Sequence, residues 1–275
     1  NKDYAANFED FLAQVGKDQP FCFWLGTHEP HRGFERGAGK RTGKDPNKVT
    51  VPPIFPDHPI VRNDLLDYFV EIEHFDSMVG RAIATLENRG QLDNTIVVVT
   101  SDHGMPFPRA KASLYDAGTR VPLAIRWPGG IKNPGRSYGR LVNLSTLAPT
   151  FLKAAGIEVP KEMNLTPGDF HVISSLMPAF SNEGRTETRL FTDFSAAFIA
   201  MERHDGCRKG GKGYPCRAIR THQHLYIRNY EPGRWPSGDP DRRVCARNIP
   251  FGEVDSSPTK KLLMDRKDEP GFKRL

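Results

Sequence analysis

The chain has 275 residues, 37% of them hydrophobic and 26% charged, which is enough to bury a core. Lysine plus arginine total 39 against 33 acidic residues, a formal charge of +6 that suits an anionic small substrate or a polyanion. No helix-turn-helix, zinc-finger or RNP pattern is present, which argues against nucleic acid, and no apolar run approaches the roughly 18 residues of a membrane span.

In chain order, "QPFCFWLG" predicts a strand over 21–25 that breaks at Gly26 into "THEPHR", a polar turn carrying His28, His31 and Arg32. The following "KRTGKDPNKVTVPPIFPDHP" is dense in Gly, Pro and charge and reads as a long extended surface loop. From about Ile60 to Asn88, apolar residues at Leu65, Phe69, Ile72, Val79, Ile83 and Leu86 predict one amphipathic helix, ended by Gly90. Asp76 falls within that stripe, either as a functional carboxylate or as a hydrogen-bonded buried one. The uninterrupted run Ile96 to Val99 in "NTIVVVTSDHG" predicts a strand covered on both faces, as in a parallel sheet. "VPLAIRWPGG" predicts a further strand and "STLAPTFLKAAGI" a helix stopped by Gly156.

Beyond about Pro160, short alternating runs cut by Gly and Pro predict a smaller antiparallel sheet, and the charged segment from Val254 reads as a loosely ordered tail. The expected fold class is therefore α/β, a mostly parallel sheet flanked by helices, with a smaller C-terminal antiparallel subdomain. The boundaries fall at 1–160, 161–253 and 254–275. Residue 1 is Asn rather than Met and no signal-type stretch is present, so the chain reads as an internal piece of a longer protein.

In open α/β sheets, polar residues just after strands face a common crevice. Asp102 and His103 follow one strand, as a metal-ligand pair or an Asp-His turn. "GMPFPRAK" then brings Lys111, with Pro106 and Pro108 restricting the backbone between them. In "THEPHR", His can donate a proton near neutral pH and Arg can clamp an oxyanion. Cys22, Cys207, Cys216 and Cys245 form no C-x-x-C pair, which indicates neither a zinc site nor a redox dithiol, and leaves their redox state open.

"VVVTSDHG" followed by Lys111 and "YDAGTRVPLAIRWPG", together with "THEPHR" upstream, resembles the sulfatases of the alkaline phosphatase superfamily. "SDHGMPFP" and "GYPCRAIRT" are most similar to its heparan N-sulfatase branch and bacterial relatives. The resemblance covers most of residues 1 to about 245. It implies that Asp102 and His103 ligate a calcium ion, that Lys111 holds a sulfate oxygen, and that His31 contacts the sulfate and protonates the leaving group. It further implies His28 and Arg32, and at the sugar rim Arg203 and His204, as substrate contacts; a solvated basic loop is the other reading of the last two. His103 stands where the N-sulfatase branch has Asn and Lys111 where it has Arg, so N-sulfo and O-sulfate substrates both stay open.

The family's nucleophile is a formylglycine made in a Cys/Ser-x-Pro-x-Arg motif. None of the four cysteines has that context, so it is expected outside this chain, which alone is expected to be inactive. The implied function is hydrolysis of a sulfate ester or sulfamate on a sulfated sugar of glycosaminoglycan type, in a periplasmic, secreted or lysosome-like location. The alternatives are a phosphomonoester or phosphonate hydrolase of the same superfamily, and a non-catalytic polyanion-binding module.

Overall fold

The structure, a computed structural model, describes residues 2–139, 141–160, 196–270 and 272. Helix α1 (Tyr4–Gln14) starts where Asp3 accepts a hydrogen bond from the Ala6 amide at 2.9 Å. Helix α2 (Ala38–Arg41) is a single turn, and α3 (Pro59–Asn88) is the long helix that the apolar spacing predicts. Pro59 occupies the first turn of α3, where its missing N–H costs nothing. Gly90, at φ +67°, ends the helix: its amide and that of Gln91 bond back to Glu87 and Leu86. Asp76 is exposed, so it is not the buried carboxylate that its place in the stripe suggested. The buried ones on α3 are Asp64 and Asp67.

The segment read as an extended surface loop contributes to the core instead. Val49 and Phe55 are buried with Val61, Leu65, Leu66 and Phe107, and Arg62 of α3 donates to the carbonyls of Pro46 and Val49 at 2.7 and 3.0 Å. Its apolar residues decide the matter, because α3 offers them a face to cover. Residues 21–25 alternate between half-buried and exposed, with Phe21, Phe23 and Leu25 packed toward Phe8 and Phe11 of α1, while Trp24 stands 88% exposed. The period-2 pattern is that of a strand, yet no ladder partner pairs with it among the described residues.

Strand β1 (Val97–Thr100) pairs antiparallel with β2 (Leu123–Arg126), Val97 opposite Arg126. The expected mostly parallel sheet is therefore not what the described residues form. The intervening chain holds one single-turn helix, α4 (Asp116–Thr119), and no crossover helix, so it turns back rather than crossing over. β1 is also only half-buried along its length. Helix α5 (Leu147–Ala154) ends at Gly156 as predicted.

The smaller antiparallel sheet is present: β3 (Ala196–Met201), β4 (Cys216–Thr221) and β5 (Leu225–Asn229) lie in that order, with Met201 opposite Cys216 and Cys216 opposite Asn229. Cys216 and Ala218 face inward onto Leu114. The rest of the expected subdomain, 161–195, including Asn164 of an Asn-Leu-Thr glycosylation pattern, lies outside the described residues.

Over its described residues the tail is not loose. Ser257 caps helix α6 (Pro258–Asp265) by accepting from the Lys260 amide at 3.0 Å, and Thr259 is fully buried against α3. Asp255, Thr259 and Lys260 find buried partners rather than water, which is why charge alone misrepresents it. No helix among the described residues is long and apolar enough to cross a membrane.

Candidate active site

Three stretches distant in sequence meet at Lys111. The loop from Met105 to Lys111 is closed by the Lys111 amide donating to the Met105 carbonyl at 3.1 Å, with Phe107 and Ala110 buried as its anchors. Arg109 and Ala112 on either side hold φ of 63° and 59°, a left-handed backbone that costs a non-glycine residue of order 1–3 kcal/mol and persists only where surroundings impose it. Gly104 at the base of this loop allows a close approach: its amide donates to the Gly118 carbonyl at 2.8 Å, and a Cβ there would sit 1.8 Å from the Ala117 carbonyl oxygen. Lys111 is thus presented rigidly.

Its ammonium donates to Asp255 Oδ2 at 3.1 Å and to His31 Nε2 at 3.2 Å. The His31 ring has its other nitrogen, Nδ1, 3.0 Å from the Arg32 carbonyl, which accepts and so assigns the proton to Nδ1. Nε2 is left with its lone pair toward Lys111. The His28 ring lies 5.0 Å from that of His31, and the His28 amide donates to the Tyr4 hydroxyl at 3.0 Å, tying this turn to α1.

Asp255, 2% exposed at its side chain, also accepts from Arg247 at 2.8 Å. Burial pushes its carboxyl up, but the hydrogen bonds from Arg247 and Lys111 outweigh that and hold it below the usual aspartate value. Lys111 and Arg247 thus share the one buried carboxylate beside His31.

Arg32 does not stand with them. Its guanidinium pairs with Asp64 in α3 at 2.5 and 3.1 Å, donates to the Pro106 carbonyl at 2.8 Å, and is sandwiched 4.5 and 4.2 Å from the Phe34 and Phe107 rings. Asp64 in turn accepts from the Thr259 amide and hydroxyl of α6, at 3.2 and 2.6 Å. Arg32 therefore ties the histidine turn to the core; burial and three engaged nitrogens take it away from a substrate.

Asp102 and His103 follow β1, as the sequence places them. His103 Nδ1 donates to the Gly104 carbonyl at 2.8 Å, which leaves a lone pair on Nε2 facing Asp102 Oδ2 at 3.5 Å. Two lone-pair atoms turned toward one another suit a bridging cation. They supply only part of the roughly six to eight ligands calcium takes, and among the described residues no third His, Cys, Asp or Glu completes a metal-holding group.

Arg203 and His204 lie on the other side of the network. Arg203 donates to the Gly211 carbonyl at 3.2 Å, and His204 Nδ1 stands 2.9 Å from Glu253, a buried carboxylate also paired with Arg208 at 2.6 Å. Arg247 links this side to Asp255 through Asp205, at 3.6 Å. Sequence reasoning missed Asp255, Arg247, Glu253 and Asp64. The available signal was "SSPTK", a Ser cap with Pro in the first turn, which marks a helix start immediately after Asp255.

The sulfatase family profile matches residues 1–157. The chain is 31% identical to human N-sulphoglucosamine sulphohydrolase over 78% of its own length and 44% of that protein's. It is 38% identical to the N-acetylglucosamine-6-O-sulfatase of Bacteroides thetaiotaomicron, over 74% and 35%. To the ulvan-active sulfatase of Formosa agariphila it is 30% identical, over 75% and 30%. The chain thus spans less than half the length of each of these relatives. Among solved structures, yidJ from Bacteroides fragilis superposes with a TM-score of 0.63 at 24% identity, covering 84% of this chain and 49% of that one. The phosphonate monoester hydrolase of Silicibacter pomeroyi does so at 0.62 and 22%, covering 83% and 52%. Both likenesses concern the fold.

Proposed function

The chain belongs to the sulfatase family, and from that premise we propose that the protein hydrolyses sulfate from a sulfated sugar of glycosaminoglycan type. The observation that carries this reading is the contact of Lys111 with His31, 3.2 Å between Nζ and Nε2, made by residues 80 apart in sequence. Displacement at sulfur requires cationic donors for the equatorial oxygens and an acid for the departing oxygen or nitrogen. Lys111 has three N–H donors, of which Asp255 and His31 take two, and the third is assigned to a sulfate oxygen. His31, oriented by the Arg32 carbonyl, delivers a proton to the leaving atom from Nε2 after that nitrogen takes one up from solvent and gives up its bond from Lys111, whose released N–H then also turns to the sulfate.

The formylglycine nucleophile is proposed to lie outside this chain. Asp102 and His103 would hold part of the shell of a calcium ion, which when bound supplies further positive charge against the sulfate. His28 and, on the far side of the Asp255 network, Arg203 and His204 are assigned to the sugar. Arg32 is assigned to holding the turn. The names of the human and Bacteroides relatives, which carry N-sulphoglucosamine and N-acetylglucosamine-6-O-sulfate chemistry, support a sulfated glucosamine as the substrate class. A location outside the cytosol, periplasmic, secreted or lysosome-like, is proposed on the family alone.

The test compares release of sulfate from N-sulfo- and 6-O-sulfo-glucosamine with hydrolysis of a phosphate monoester and a phosphonate by the complete natural protein. Sulfate release should dominate, and Lys111→Ala should lower kcat/KM by about 10²–10³. Equal or greater phosphate or phosphonate turnover would overturn the assignment, and absence of any turnover in a protein carrying the nucleophile motif would favour a polyanion-binding module.

A further inference from the structure

Gly252 sits against two cysteines that are far apart in sequence. A Cβ built on it would lie 2.2 Å from Cys207 Sγ and 2.2 Å from Cys245 Sγ, so the two sulfurs are at most twice that distance apart. Both thiols are buried, Cys207 completely. The backbone around them is already joined: the Ala246 amide donates to the Gly206 carbonyl at 3.0 Å, and the Asp239 amide to the Cys207 carbonyl at 2.8 Å. The ion pair of Arg247 with Asp205 spans the same two segments, each partner two residues from its cysteine. That bound leaves the two sulfurs near the reach of a bond of about 2.05 Å.

We infer that Cys207 and Cys245 form a disulfide that ties the basic loop bearing Arg203 and His204 to the segment bearing Arg247 and Asp255. In forming it, two S–H bonds and the S–S bond of a small disulfide oxidant such as oxidised glutathione break. One protein S–S bond forms, the two electrons pass to the oxidant, and its two sulfurs take up the two protons. Burial, together with the hydrogen bond to Cys245, pushes the Cys207 thiol up to about 12. Exchange needs a thiolate, so the folded reduced pair is inert and the bond closes while these segments are still open to solvent. The cross-link holds whichever substrate the protein takes.

The test refolds the full chain in a glutathione redox buffer and, in parallel, under reductant, alkylates free thiols and maps peptides without reduction by mass spectrometry. The oxidised sample should contain one peptide pair joined through Cys207 and Cys245, two hydrogens lighter than the sum of its parts, with Cys22 and Cys216 alkylated. Its unfolding midpoint should exceed that of the reduced sample by about 5–10 °C, and this redox-dependent difference should vanish in Cys245→Ser. Alkylated Cys207 and Cys245 in the oxidised sample, their linkage to Cys22 or Cys216, or a difference that survives Cys245→Ser would each overturn the inference. The peptide map requires only the unmutated chain, so poor folding of the variant does not shield it.

Discussion

Lys111 and Asp255 show how a reactive side chain is held by a partner with no motif of its own. Lys111 was legible because it follows Asp102 and His103 at a recognisable distance; Asp255 was not, because one aspartate in a charged tail has no pattern to distinguish it. Its meaning comes from where it is buried. Asp255→Asn removes the charge that Lys111 and Arg247 share and leaves the buried Lys111 ammonium without its carboxylate partner. Breaking such a pair from one side costs about 3–5 kcal/mol, measurable by urea denaturation. A loss below about 0.5 kcal/mol would mean that solvent already screens the pair.

Helix α3 joins both ends of the described chain. Its apolar spacing was readable from Leu65 to Leu86, yet the same helix carries Asp64 and Asp67 on its buried side, where the stripe rule expects hydrocarbon. Asp67 accepts from the Gly37 and Gly39 amides, both at 2.9 Å, and so seats α2. Asp64 joins Arg32 of the histidine turn to Thr259 of α6, so the helix that was hidden in the tail bears directly on the site. Thr259→Val keeps the shape and removes the hydroxyl donor at 2.6 Å. The expected loss is about 1–3 kcal/mol of stability, read from the unfolding midpoint, and a neutral outcome would show that the Thr259 amide suffices for Asp64.

At the scale of the whole molecule, the cations behind the +6 charge are in part paired with carboxylates among the described residues. Asp255 and Asp116 both have carboxyls held below their usual values, the latter because Arg220 donates to it at 2.7 and 2.9 Å. A carboxylate with a depressed folded pKa contributes stability that is present above its unfolded value, near 4, and lost as pH falls through the folded one. The unfolding midpoint should therefore stay level from pH 7 to about 5 and fall below about pH 4; a midpoint that rises on acidification would contradict these pairings.

The order of α3, β1, β2 and α5, the antiparallel strands beyond 195, and the placement of His31, Asp102, His103 and Lys111 in loops after apolar runs follow from the sequence by itself, because periodicity and turn residues are local properties. Only the tertiary structure decided that β1 and β2 run antiparallel, that Arg32 is spent on Asp64, and that the apparent tail supplies Asp255 to Lys111. Those outcomes depend on which distant groups share a buried, low-dielectric space, and neither spacing nor composition along a chain records that.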